Sequence, residues 1–388
     1  MKTKTKFLSF VLCAVLVVTS CFAFASCGKK DETFKIGVSG PLTGGAATYG
    51  IAVKNGAALA VKEINAKGGL FGKYQLQLFT YDDQHNATLV STGYYDMVQK
   101  GMQASLGCVT SAPCAEFADL SAEDNMFFIT PSASNDEIPK NTNGYQLCFS
   151  VGIQGKGAAA YVEEAYSGKT IGLLYCSGDN YSEGIKDQFK ENLKTVTVVE
   201  ASFNDGDTDF SSQVNALKDC EFVFMPIYYT PASQFMTEAK KTANNFKVFY
   251  GCDGFDGIET GVEGFDINSV PQKVSYLSHF NAKATEGKAK TFIDAYKAEY
   301  NEEPIQFGAA AYDCVYAIVA AIESKGEENF KINMSASDVC DLLTSVFNSE
   351  TFTYSGATGS NMKWNKAANN GYGYVDKSAT EYVVKEAN

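Results

Sequence analysis

Arginine is missing from this chain: all 32 of its basic residues are lysine. A bound anion therefore meets no bidentate guanidinium fork and must be held by lysine, hydroxyls or backbone amides. Histidine is almost missing too. His85 and His279 stand far apart, and no HExxH pattern occurs, so the sequence spells neither a zinc site nor a histidine general base. Serine is plentiful, but no GxSxG elbow appears with a histidine to serve it. The net charge is −13, with acidic and basic residues interspersed along the chain. Nucleic acid needs clustered positive charge, so this balance argues against it as a partner. Beyond the N-terminal stretch, no run approaches the ~18–20 apolar residues of a membrane span.

What is present suits a soluble globular protein. The chain has 388 residues, 45% apolar and 20% charged, too long for one ordinary core and right for two domains. The N-terminus reads as a targeting segment. Lys2, Lys4 and Lys6 precede an apolar stretch from Phe7 to Phe24, then Ala25-Ser26-Cys27 and a polar spacer. Small residues before a cysteine at the end of an apolar run resemble a bacterial lipobox. Cys27 is the expected lipid anchor, with Val18-Thr19-Ser20-Cys21 as a competing site, and the expected location is the extracytoplasmic face of the cell membrane. The eight cysteines downstream (Cys108, Cys114, Cys148, Cys176, Cys220, Cys252, Cys314 and Cys340) show no CxxC and no metal spacing. Most fall in apolar strand or helix patterns, so they are expected to be largely free and buried.

Strand and helix patterns alternate after the leader. Phe34–Val38 is a short apolar strand, 50–66 has helical spacing stopped by Gly68-Gly69, and 74–81 alternates like a strand. Helix follows at 86–100, strand at 104–109, helix at 113–124 and strand at 127–129. The rhythm continues from 156 to 250, which predicts parallel sheets covered by helices on both faces. Residues 288–300, 307–324 and 336–347 are helical, and 351–384 is Gly- and Asn-rich, with short paired strands and a turn at Asn369-Asn370-Gly371. Gly/Pro/Asn-rich joints near 139–157 and 251–287 mark the lobe boundaries. Two tempting patterns fail. Asp205-Gly206-Asp207-Thr208-Asp209 lacks the glycine and glutamate of a calcium loop and reads better as a helix start capped near Thr208 or Asp209. Gly37-Val38-Ser39-Gly40 does not have dinucleotide spacing.

Several segments in order carry a resemblance. GPLTGGAATYG (40–50), GAALAVKEINAKGGLFG (56–72), YDD (81–83), SLGCVTSAP (105–113), ITPSAS (129–134), YCSGDNYSEGI (175–185), GDTDFSSQV (206–214) and FYGCDGF (249–255) resemble the leucine/isoleucine/valine-binding family. The resemblance implies a type I periplasmic-binding fold: an α/β chain with two Rossmann-like lobes, parallel sheets and three crossing strands. The implied lobes are 34–150 with 280–352, and 151–279 with 353–388, after a 1–26 signal peptide and a 27–33 tether.

In open α/β sheets ligands gather at the carboxyl ends of strands. Thr110-Ser111 and Ser132-Ala133-Ser134 obey that rule here. A hydroxyl beside a helix N-terminus is a ready carboxylate binder, although each serine could equally be an N-cap or turn residue. By resemblance, Ser111, Ser132 and Ser134 hold the head groups of an amino acid. Asp253 meets its ammonium, where the family commonly has glutamate, although an aspartate between glycines is also a common turn residue. Tyr49, Tyr181, Tyr228 and Phe307 are the expected aromatic walls, and Val109 and Thr110 the expected side-chain pocket. No second charge is evident for an acidic or basic side chain. The expectation is a non-enzymatic substrate-binding lipoprotein of an ABC importer, taking a small branched-chain-type amino acid to a membrane permease, with no cofactor and no metal. Two rivals stand beside it. One is the same fold binding an aromatic acid, amide or urea-like solute for uptake or sensing. The other is an amidase using a cysteine.

Overall fold

Eleven strands and ten α-helices among the described residues build two sheets, and the strand ends of both converge on one place. The structure is a computed structural model that describes residues 33–387. Cys27 and the rest of the leader lie outside the described residues.

The first lobe opens with β1 (Thr33–Gly40), α1 (Ala47–Ala66), β2 (Gln75–Asp82), α2 (Ala87–Gln99), β3 (Ala104–Ser105), α3 (Ser111–Glu123), β4 (Phe128–Thr130) and β5 (Gly144–Gln146). Its sheet has the order β2-β1-β3-β4-β5. Gly68 and Gly69 both take positive φ just past α1, as the paired glycines suggested. The predicted strand 104–109 shrinks to two residues. Gly107 takes φ +62°, so the chain leaves the ladder and turns toward the strand-end face before α3 begins.

The second lobe runs through α4 (Val151–Ala165), β6 (Thr170–Ser177), α5 (Asn180–Asn192), β7 (Thr197–Asn204), α6 (Ser211–Leu217), β8 (Phe222–Met225), α7 (Tyr229–Ala239), β9 (Val248–Gly251) and β10 (Lys273–Ser278). Its sheet order is β11-β10-β9-β8-β6-β7, parallel from β7 through β10, with β11 (Thr380–Lys385) antiparallel on β10. Side-chain caps fix several helix starts: Ser150 accepts from Ile153 N and Asp179 from Ser182 N. Asp209, one of the two expected caps, accepts from Ser211 N at the first residue of α6.

The chain then returns to the first lobe as α8 (Gly287–Tyr300), α9 (Gln306–Ser324) and α10 (Ala336–Phe347). Helix α9 has 19 residues and a mean hydropathy of 1.3, long and apolar enough by composition to span a bilayer, contrary to the sequence expectation. It is instead a core helix: most of it is buried, and it lies against α1 so closely that a Cβ on Gly56 would sit 2.0 Å from the Gly308 carbonyl oxygen.

The C-terminal stretch departs from the expected boundary. The resemblance places residues 353–388 in the second lobe, yet much of this segment packs on the first. Tyr374 bridges to Gln146, Gln146 N donates to Gly373 O, and Trp364 Nε1 donates to Gln146 O while its ring lies on Phe347 and Phe352. Burying the single tryptophan against α10 holds this segment on the first lobe, on the other side of the boundary that the resemblance implies. Only β11 joins the second sheet. The lobes are thus linked by three crossings, at 147–150, 279–286 and 375–379. The eight cysteines of the described residues are all buried free thiols.

Candidate functional site

Thr110, Ser111, Ser132 and Ser134 reach the space between the lobes from the ends of β3 and β4. Thr110 is the N-cap of α3, but its side chain makes no capping bond. Its hydroxyl instead pairs with His85 Nδ1 at 2.8 Å. The first amides of α3 have no intrahelical acceptor, as at any helix start, and they carry the positive end of the helix dipole. Ser111 follows directly, 2% exposed, and its hydroxyl makes no hydrogen bond to the protein. After β4, Thr130 organises a tight turn. Its hydroxyl donates to Cys108 O and receives the amides of Ser132 and Ala133. The turn presents Ser132 and Ser134, and Ser134 Oγ is fully buried with no partner. An unpaired buried hydroxyl costs about 1–3 kcal/mol unless something else satisfies it.

The second lobe answers with a carboxylate. Asp253 follows β9 and is 1% exposed. Gln154 on α4 clamps it twice, donating Nε2 to Oδ2 at 3.0 Å and accepting the Asp253 amide at 3.1 Å. Tyr181 Oη donates to Oδ1 at 2.7 Å and accepts from Gly254 N at 2.9 Å. No cation pairs with Asp253 among the described residues. Burial, the largest influence, lifts its carboxyl to about 7, against the opposing hydrogen bonds from Tyr181 and Gln154. Gly254 is required next to it: a Cβ there would lie 2.6 Å from Ile227 O and 2.8 Å from Tyr181 Oη.

Aromatic rings close the sides. Tyr181 stacks on Tyr228 at 4.9 Å, Tyr228 meets Tyr49 at 5.7 Å, and Tyr49 stands edge-on to Phe307 at 5.1 Å. Val109 completes the apolar wall. All ten sequence-predicted residues (Tyr49, Val109, Thr110, Ser111, Ser132, Ser134, Tyr181, Tyr228, Asp253 and Phe307) line one cavity, together with Gly254. Its free volume is only about 10 Å³, room for a single water, so a larger molecule enters only when the lobes part. The lobes also touch directly around it. Tyr49 Oη donates to Gly254 O, Thr48 N to Tyr229 Oη, Thr230 Oγ1 to Gly45 O and Asn135 Nδ2 to Asn180 O.

The comparisons agree with this geometry. The sequence model of the periplasmic binding protein family matches residues 33–363. A leucine-, isoleucine-, valine-, threonine- and alanine-binding protein of Pseudomonas aeruginosa is 30% identical over 337 residues, covering 84% of this chain and 87% of its own. The chain belongs to the leucine/isoleucine/valine-binding branch of the periplasmic binding proteins. Among solved structures, the branched-chain amino acid transporter substrate-binding protein LivJ of Streptococcus pneumoniae, in complex with isoleucine, is 28% identical. Its TM-score is 0.77, with 92% of this chain and 96% of the other covered. A leucine-binding protein LivK of Thermotoga maritima, 21% identical with a TM-score of 0.76 over 91% of this chain and 95% of its own, shares the fold. Members of this branch are extracytoplasmic substrate-binding proteins for transport, and the chain is a binding protein, not an enzyme.

Sequence reasoning missed the residues that support the site in this family member. Gln154 reads in sequence as an ordinary helix residue, and only its fold position reveals the clamp on Asp253. Tyr229 is the neighbour of a chosen tyrosine, yet its hydroxyl reaches the other lobe. Asp256 accepts from Gln306 N and Tyr276 Oη, so it caps α9 and sets the helix that carries Phe307. The Cys-Asp-Gly-Phe-Asp run was the available signal for Asp256, since a second carboxylate three residues on was in plain view.

Proposed function

We propose that this chain captures a small apolar α-amino acid of the branched-chain type between its lobes. In this reading it is held to the outer face of the membrane through a lipid on Cys27, and it delivers the amino acid to the permease of an ABC importer. The observation that carries the ligand reading is one buried carboxylate without a cation, Asp253, lining the same cavity as three serine hydroxyls that lack protein partners. A zwitterion satisfies both at once. Its ammonium pairs with Asp253, and its carboxylate takes Ser111, Ser132, Ser134 and the start of α3. No charged group lines the rest of the cavity, so the side chain meets Val109, Tyr49 and Phe307. The direct bonds between lobes mean that entry requires hinge opening, and ligand contacts to both halves favour reclosure. The isoleucine complex of a protein 28% identical, and a 30% identical Pseudomonas relative named as a leucine-, isoleucine-, valine-, threonine- and alanine-binding protein, support the same ligand class.

Thermal unfolding of ligand-stripped protein against the twenty amino acids, matched α-keto acids and benzoate tests the proposal. A ligand at a hundred times its Kd adds about 2.7 kcal/mol. Stabilisation by leucine, isoleucine or valine but not by their keto acids supports it. Equal stabilisation by the keto acids or by benzoate overturns the role of Asp253 and favours an aromatic or simple organic acid. For the anchor, Cys27→Ala should release the protein from the membrane fraction, and retention would overturn Cys27 as the lipid site.

A further inference from the structure

Gln84 and His85, in the short link between β2 and α2, both take positive φ, +54° and +60°. Successive non-glycine residues in the left-handed region persist only where their surroundings enforce them, and such strain collects at functional sites. Two aspartates enforce it here. Asp82 accepts from Gln84 N, and also from Leu42 N and the Thr43 hydroxyl just past β1. Asp83, fully buried, accepts from His85 N and from the Ser39 hydroxyl on β1. The turn is thereby locked to the end of β1, and it holds the His85 ring between the lobes. On the first-lobe side, Nδ1 pairs with the Thr110 hydroxyl at 2.8 Å. On the second-lobe side, the ring stands edge-on to Tyr228, 5.4 Å away at 89°.

His85 also lines a second cavity between the lobes, with about 340 Å³ of free volume, which shares Tyr181 and Tyr228 with the amino-acid cavity. Charge in this cavity is one-sided. The second lobe contributes Asp179, Asp205 and Asp207, and His85 is the one basic side chain among the described residues that line it. Asp179 caps α5 and is half-buried. Burial lifts its carboxyl above the ordinary value, against the Ser182 amide and the charge of His85. His85 therefore engages a first-lobe hydroxyl, a second-lobe ring and a second-lobe carboxylate, yet it is not among the residues lining the amino-acid cavity. We propose that His85 is a positioning residue for capture: it sets the Thr110–Ser111 loop of the first lobe and docks that loop against Tyr228 and Asp179 when the lobes close on the ligand. This rests on the reading that the lobes close on an amino acid, and it gives that closure a residue that does not touch the ligand.

A double-mutant cycle across the cleft tests this, with isoleucine as the probe, Kd from calorimetry and dissociation rates from stopped flow. His85→Ala should weaken isoleucine binding about three- to tenfold, the net worth of one hydrogen bond. The loss should fall chiefly on the dissociation rate, because a closed form without its cross-cleft contact reopens sooner. Asp179→Asn keeps a side chain that caps α5 and removes only the charge. Combined with His85→Ala, it should cost less than the product of the two single effects, since both delete the same attraction between lobes. His85→Gln still offers Thr110 a hydrogen-bonding group. It should restore the melting temperature of the unliganded protein but not the coupling to Asp179, and it carries the cycle if His85→Ala does not fold. A His85 that only braces the first lobe would lower the unliganded melting temperature and show no coupling to Asp179 in binding. Independent effects of the two positions on Kd, or an unchanged dissociation rate in both His85 variants, overturn the inference. If the wild-type protein does not bind isoleucine, the ligand reading falls by itself, and the same cycle run with benzoate still decides the role of His85.

Discussion

The first lobe brings Thr110, Ser111, Ser132 and Ser134 to the cavity without a formal charge, whereas the second brings Asp253 with Tyr181 and Tyr228. The two halves are built at different cost. Strand ends and a helix start supply the neutral half as a by-product of βα geometry, since free amides and short hydroxyl side chains collect there anyway. The charged half needs dedicated support, because a buried carboxylate is unfavourable until hydrogen bonds and a counter-charge arrive. Gln154 and Tyr181 provide the hydrogen bonds from two different helices, and the counter-charge is left to the ligand. The neutral half can therefore recognise a carboxylate without lysine or arginine, while the charged half decides whether an ammonium is required.

Breaking the charged half should have the largest effect. Asp253→Ala is expected to weaken binding of the preferred amino acid by about 2–5 kcal/mol, since the ammonium loses its only charged partner. Calorimetry that finds near-native affinity would remove the assignment. Protonation does the same reversibly. The ligand needs the ionised carboxyl, and in the unliganded protein that group titrates near 7. Affinity should therefore hold above pH 7 and fall about tenfold per unit well below it. Titrations from pH 8 to 5 that give a constant Kd would contradict this. Stability of the unliganded protein runs the other way through the same group. Its folded value lies above the ordinary 3.8, so its contribution is fully present below about pH 4 and is lost as pH rises toward 7. Asp256, raised to about 6 by burial, adds to that trend over a slightly lower window. Asp253→Asn should flatten the dependence of unliganded stability on pH.

Weaker perturbations sharpen the contrast. Tyr181→Phe removes one hydrogen bond to a charged group, worth about 1.5–3 kcal/mol. It should also move the pH midpoint for binding upward, because the remaining carboxylate is less well supported. A midpoint that stays put would mean that Tyr181 only packs. The smallest expected effect belongs to the neutral half. Ser134→Ala should cost binding about 0.5–1.5 kcal/mol while leaving the unliganded melting temperature unchanged or higher, since it deletes a buried hydroxyl that has no partner. A clear loss of stability without loss of affinity would make Ser134 a structural residue.

The two halves also differed in how much of them could be read from sequence. Ser111 and Ser132 were legible because a hydroxyl after an apolar strand and before a helical pattern has few other places to be. Asp253 was legible from its glycine-flanked position after the strand VFY, with the family resemblance supplying its role. Gln154 was not legible. Its partner lies 99 positions away, and nothing in a helical stretch of Gly, Lys and Ala marks one glutamine as a clamp. The placement of 353–375 failed for a similar reason. A Gly- and Asn-rich segment has weak periodicity, and it follows the first lobe because Trp364 and Tyr374 find their contacts there.

The sequence by itself determined the alternation of strand and helix, and with it two parallel sheets whose carboxyl ends carry serines and an aspartate. That information is local: apolar periodicity, glycine stops and short polar loops act within a dozen residues. Tertiary structure alone decided that Asp253 is clamped and desolvated and that α9 is core and not a membrane span. Each of these depends on which distant groups exclude water from a side chain, and burial is a property of the packed chain, not of any segment of it.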